Sequence, residues 1–174
     1  MTLDDYVMKN VGPDMPLWDF WGVLKAAASP VSEGEAAAVY RYCLGRRLSP
    51  AALLAMFKHE STLGKFGSAA TTHSWGNTRP PSFGAESIGV TERTFSMYRD
   101  WTDGGVSTVA RLYDHRPYLG LVTVRQIIPV WAPSTDGNNT ERYIEAVLAD
   151  IERWAVPTTA QGSPYIAGWK DMWA

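Results

Sequence analysis

Leu53, Met56, Phe57 and Glu60 recur at i, i+3, i+4 and i+7 in residues 48–80, LSPAALLAMFKHESTLGKFGSAATTHSWGNTRP. In an α-helix that spacing places all four on one face, so a carboxylate shares the stripe expected to face the core. Burial beside apolar groups disfavours an ionised carboxylate and raises its pKa, and the negative end of the helix dipole acts in the same direction. A carboxyl group kept protonated near neutral pH is the group that protonation of a glycosidic leaving oxygen requires. Two plainer readings compete: Glu60 frays into solvent in the last turn, or it pairs with an arginine, because structural ion pairs also produce buried carboxylates.

The elements around Glu60 follow from local signals. Ser49 can cap the free backbone N–H groups of a helix whose first position is Pro50. Residues 51–59 contain no Gly or Pro, Lys58 points away from the apolar face, and Gly64 offers a left-handed stop. Upstream, Ser32 and Glu35 form a capping-box pair opening a helix that runs to about Leu44, where Gly45 ends it. The turn Arg46-Arg47 is so short that the two helices are expected to pack as neighbours. Residues 1–31 read as an arm with one short apolar segment, 17–28, packing Trp18, Trp21 and Leu24. Residues 64–90 are rich in Gly, Ser, Thr and Pro, and a loop of that length in a small domain is often functional. A strand or hairpin arm is expected at 88–95. Asp103-Gly104-Gly105 reads as a turn before a helix at 106–113. A further helix starts at Thr123 and stops near Pro129. Asn138 and Glu141 open the last helix, with Tyr143, Ile144, Val147, Leu148, Ile151 and Trp154 on its apolar face. The aromatic segment 156–174 is expected to lie over the domain as a tail.

Composition narrows the chemistry. A chain of 174 residues with 45% hydrophobic and 20% charged residues suits one soluble domain, 1–174, with a proper core. A net charge of −2 gives no reason to expect nucleic acid as a partner. The single cysteine, Cys43, excludes an intrachain disulfide framework and a cysteine-cluster zinc site, and reads as a small buried hydrophobe. His59, His73 and His115 lack the His-x-x-x-His spacing of a helical metal site, and no glycine loop opens a helix to cradle phosphate, so neither metal nor cofactor is expected. No apolar run of 18 residues is present, so membrane insertion is not expected. The segment MTLDDYVMKN carries aspartates where a secretory signal is basic. Eight Trp and eight Tyr stand out, and those not needed for packing are candidates to stack on sugar rings.

Glu60-Ser61 at the end of an apolar helix, followed by Gly64 and a loop containing Asn77, resembles the lysozyme-like peptidoglycan hydrolases. The likeness is closest to the glucosaminidase-type branch of flagellar muramidases, autolysins and phage lysins. Residues 74–79, SWGNTR, resemble that branch's Asn-x-Gly-Asn-x-Arg loop, and residues 95–105, FSMYRDWTDGG, its Phe-x-x-Tyr-x-x-Trp segment. Tyr118 and residues 128–143, IPVWAPSTDGNNTERY, resemble its closing Tyr-Ala-Pro/Thr…Asn…Tyr segment. The four pieces span residues 48–153 in order. Two positions depart: Trp131 stands where the family usually carries a Tyr important for catalysis, and Ser74 replaces an Asn.

The resemblance implies a mainly α, lysozyme-like domain with an irregular loop or small β-hairpin beside the catalytic helix. It implies cleavage of β-1,4 bonds in peptidoglycan or a related N-acetylated glycan, with Glu60 as general acid. Asn77, Tyr98, Trp131 and His73 are then the substrate-binding positions. The second carboxylate, if there is one, is Glu92 or Glu86, with Asp136 a third candidate. The alternative is a domain that binds wall glycan, or builds a phage or secretion particle, without turnover. Both readings expect synthesis in the cytoplasm, followed by release onto the wall through a separate pore or incorporation into a particle.

Overall fold

Ser49 and Pro50 open the helix that carries Glu60, as their chemistry requires. The Ser49 hydroxyl accepts from the Ala52 N–H at 2.9 Å, and Pro50 fills the first helical position, where its missing N–H costs nothing. This computed structural model of the chain describes residues 6–155, so the tail expected at 156–174 lies outside the described residues. Seven α-helices and one small hairpin follow in chain order: α1 (Leu17–Ala26), α2 (Glu33–Arg46), α3 (Pro50–Ser61), α4 (Ala69–Thr72), β1 (Gly89–Val90), β2 (Ser96–Met97), α5 (Trp101–Asp114), α6 (Val124–Trp131) and α7 (Thr140–Trp154). The architecture is mainly α. The two strands pair antiparallel, Gly89 with Met97 and Val90 with Ser96. No helix among the described residues is long and apolar enough to cross a membrane.

The core is built around α3. Ala51 to Phe57 are all buried, so the helix is enclosed on every side and not along the single stripe its pattern predicts. Three alanines let neighbours approach closely, and a helix that is apolar all round belongs in the middle of a fold. The face opposite the expected stripe is covered too: Lys58 donates to both carboxylate oxygens of Asp150 on α7 at 2.5 and 2.7 Å. The principal partner of α3 is α7 and that of α2 is α5, so the close pairing of α2 with α3 expected from their short connection is a minor contact. The chain leaves α3 through three successive left-handed residues, Thr62, Leu63 and Gly64. Only the last needs to be glycine: a Cβ at Gly64 would stand 2.7 Å from the Trp101 ring.

Several elements differ from expectation for identifiable reasons. The Ser32–Glu35 capping box is present, but α2 runs through Gly45 and ends at left-handed Arg47. On α1 the buried pair is Phe20 and Leu24, which leaves Trp18 63% exposed. Residues 6–16 are more than an arm: Met8 and Met15 are buried, and Asp14 accepts from Ser49 and from the Ala51 N–H at 3.3 Å. Asp103-Gly104-Gly105 is not a turn. Asp100 caps α5 by accepting from the Asp103 N–H at 2.9 Å, and the two glycines sit inside the helix. They are there for contact, because a Cβ at Gly104 would meet the His73 carbonyl oxygen at 1.8 Å and one at Gly105 would meet Val39 at 2.4 Å. Helix α6 continues past Pro129 to Trp131 after opening with a Thr123–Gln126 capping box. Helix α7 is capped by Asn139, one residue beyond the expected Asn138.

Leu54, fully buried on α3, tests the enclosed-helix description. Leu54→Ala is expected to lower stability by about 2–5 kcal/mol in denaturant unfolding. Residues on a solvent-facing side of an amphipathic helix would cost far less.

Candidate functional site

Glu60, one residue from the end of α3, is half-buried, and its carboxylate gathers donors from three other segments. Its Oε1 accepts from the Trp131 indole N–H at 2.8 Å and from the Tyr143 hydroxyl at 2.7 Å. Its Oε2 accepts from Asn77 Nδ2 at 3.0 Å. The same Asn77 nitrogen lies 3.3 Å from the Glu60 backbone carbonyl, one of the acceptors left without a partner at a helix C-terminus. Both atoms facing Asn77 are acceptors, so the amide orientation is fixed with nitrogen toward Glu60. Trp131 comes from the last turn of α6, Tyr143 from the first turn of α7, and Asn77 from the loop between α4 and β1, in a left-handed conformation.

Buried aromatics set the donors. Tyr143 is 4% exposed, and its phenol is held well above its ordinary pKa, first by burial and then by the negative charge and hydrogen bond of Glu60. It therefore stays protonated and available to donate. Tyr118 is pushed up as well, chiefly by burial, and its ring lies 6.0 Å from that of Trp131. On the other side of Tyr143, His59 stacks at 3.7 Å with the rings 20° apart. His59 is exposed at the surface, yet the Tyr143 ring takes enough water from the imidazole to push it below its ordinary value, against the opposing charges of Glu60 and Asp150.

The Asn77 loop is anchored behind the site. Trp75 is fully buried against Phe57, with ring centroids 4.3 Å apart, and its indole N–H donates to the Trp101 carbonyl at 3.0 Å. The Thr78 N–H donates to Ser74 Oγ at 3.1 Å, closing the loop on itself. The Thr78 carbonyl accepts from the Ser96 N–H of β2 at 2.8 Å. Tyr98 completes the support, its hydroxyl 3.0 Å from Thr78 Oγ1 and 2.7 Å from Ser107 Oγ on α5. Ser74, the departure from the family's Asn, is buried and serves the loop's own hydrogen bonding.

Of the positions predicted from sequence, Glu60, Asn77 and Trp131 are brought together. Tyr98 is not a surface for substrate: it is 1% exposed, and its ring is enclosed beneath the loop it supports. His73 lies behind that loop, with Nδ1 2.9 Å from the Tyr98 carbonyl and its ring edge-on to Trp101. Glu92 is exposed in the turn of the hairpin, Glu86 is exposed beside a shallow hollow at residues 82–87, and Asp136 is exposed in a short 3-10 turn. The carboxylate partners of Glu60 include none of these acids. Periodicity gives Tyr143 only as part of an apolar face, although a buried phenol needs a hydrogen-bond partner and Tyr143 closes the run that resembles the last segment of the glucosaminidase-type branch. Among the described residues, no group of three or more His, Cys, Asp or Glu is placed to hold a metal ion.

The arrangement can hold one carboxyl group in a fixed orientation, with one oxygen saturated by two donors and the other beside an amide, under a half-exposed indole. Comparison of the chain with protein-family models, curated proteins and solved structures gives no match.

Tyr143→Phe removes the hydrogen bond to Glu60 Oε1 and is expected to lower stability by roughly 0.5–1.5 kcal/mol in thermal or denaturant unfolding. The His59 imidazole is expected to titrate in NMR with a midpoint below the ordinary 6.5. Because its folded value is depressed, its contribution to stability is fully present above the unfolded value and is lost as pH falls through the folded one.

Proposed function

We propose that the chain is a lysozyme-like glycan hydrolase that cuts β-1,4 bonds in peptidoglycan or a related N-acetylated glycan, with Glu60 as the proton donor. The observation that carries this reading is the single carboxyl group oriented by Trp131, Tyr143 and Asn77 at the end of the central helix. The sequence resemblance, which runs through the same segments, supports it. Oε1 is occupied by two donors, so Oε2 is the oxygen that carries and releases the proton, its remaining lone pair still accepting from Asn77. As the proton moves to the glycosidic oxygen, the bond from that oxygen to the anomeric carbon breaks and an oxocarbenium-like centre develops. The N-acetyl group of the substrate can then close on that carbon. Alternatively, Glu86 or Glu92 activates a water, in which case the product is inverted and the two carboxyl groups stand roughly 6.5–9.5 Å apart with substrate bound. The half-exposed face of Trp131 is the surface on which a sugar ring would stack.

The hydrogen bonding also favours a second reading. The three donors to Glu60 come from α6, α7 and the loop, so the carboxyl group can act as a tie between these segments and α3 in a glycan-binding or particle-forming domain without turnover.

Glu60→Gln separates the two. The Gln oxygen can still accept from Trp131 and Tyr143, but its amide nitrogen faces Asn77, donor against donor, so folding is checked by circular dichroism in parallel. On purified peptidoglycan the wild type is expected to release fragments with new reducing ends, and the folded variant to lose on the order of 10³-fold in rate. Sedimentation of both proteins with peptidoglycan, with no fragments from either, would select the non-catalytic reading.

A further inference from the structure

Gly76 lies between the two residues of its loop with evident tasks, Trp75 buried in the core and Asn77 on Glu60. Its own contact is with Trp131. A Cβ built at Gly76 would stand 2.3 Å from the indole Cζ2 and 2.5 Å from Cη2, with Thr108 Cγ2 next at 3.1 Å. Its φ is outside the positive region that favours glycine, so the backbone itself would accept a side chain; the indole is the main obstacle, and Thr108 Cγ2 would have to give by only a few tenths of an ångström. The indole has little freedom to retreat. Nε1, only two bonds from Cζ2, donates to Glu60 Oε1 at 2.8 Å, and the Tyr118 ring lies 6.0 Å away. Restoring ordinary contact to a methyl group would require the ring to move on the order of 1 Å. A displacement of that size takes the N–H out of good hydrogen-bonding range of Oε1.

We propose that Gly76 is a positioning residue for Glu60, acting through Trp131: the bare backbone leaves the room the indole needs to reach the carboxyl group. Trp75 fixes the loop to α3 through Phe57, Gly76 seats the indole, and Asn77 holds the second oxygen, so three consecutive residues set both sides of one carboxyl group. The effect on rate rests on the glycan-hydrolase reading. The seat itself does not.

The test therefore begins with a measurement that does not use activity. The Trp131 indole N–H resonance is assigned as the one missing from Trp131→Phe, and its response to Glu60→Ala, which removes the acceptor, is compared in the parent protein and in Gly76→Ala. The expected result is a clear shift in the parent and none in Gly76→Ala. An equal shift in both, or none in the parent, would overturn the proposal. If Gly76→Ala does not fold, the comparison moves to the Trp131→Phe background, where the smaller ring removes the obstacle. There Gly76→Ala is expected to leave the melting temperature unchanged, and a loss as large as in the parent would mean that the indole is not the obstacle. With peptidoglycan as substrate, the folded Gly76→Ala protein is expected to lose on the order of a hundredfold in kcat, in line with the effect of an ångström of misplacement. The same substitution is expected to have little further effect once Trp131 is Phe. Failure of the wild type to cleave would count against the hydrolase reading and leave the resonance result to decide the role of Gly76.

Discussion

A carboxylate at the C-terminal end of a buried helix faces the negative pole of that helix and has lost part of its water, and both effects oppose it. Glu60 is held there because three donors converge on its two oxygens, so that neither oxygen is buried without a partner. Each donor belongs to a different part of the chain. The carboxylate is therefore the point where α3, the last turn of α6, the first turn of α7 and the 74–78 loop are held in register. A shift in any one of them changes the direction in which Glu60 presents its oxygens.

Small residues make that convergence possible. Gly104 lets the 73–74 backbone lie directly on α5, Gly105 lets α5 close on Val39 of α2, and Gly64 lets the chain turn beneath Trp101. Aromatic rings fill the space so created: Trp75 stacks between Phe57 at 4.3 Å and Phe20 at 6.1 Å. The loop that carries Asn77 is consequently as well anchored as a helix, although it has almost no secondary structure. Its rigidity comes from buried side chains and from Tyr98, whose hydroxyl links it to α5. An orienting group on such a loop is prepaid in conformational entropy, which is what a site that must hold a reacting atom in place needs.

What the sequence discloses is mostly local. Ser32 with Glu35 and Ser49 with Pro50 specify helix starts through bonds within one turn, and both starts lie where those residues put them. The helix patterns of α3 and α7 likewise reveal Glu60 and a buried face containing Tyr143. Nonlocal contacts are what the pattern hides. Gly104 and Gly105 look like a turn because their purpose is the close approach of residues 39 and 73, far away in the chain. Pro129 looks like a helix end, yet α6 continues to Trp131 with the proline inside its last turns. The resemblance singles out Asn77 and Trp131, and the fold brings both to Glu60. The hydroxyl of Tyr143 was not legible, because periodicity reports that a side chain is buried and not what its polar atom meets. Exposure, equally absent from the sequence, is what moves Tyr98 from the surface to the interior.

On the proposed reading, a glycan strand is bound and cut between the Glu60 carboxyl and the partly exposed Trp131 indole. The most direct test is to titrate the folded Glu60→Gln protein with a short N-acetylated β-1,4 oligosaccharide and to follow backbone and indole resonances by NMR. The account predicts saturable shifts centred on Trp131, Asn77 and the ends of α3 and α6. Shifts confined to another face of the molecule, or none at millimolar oligosaccharide, would contradict it.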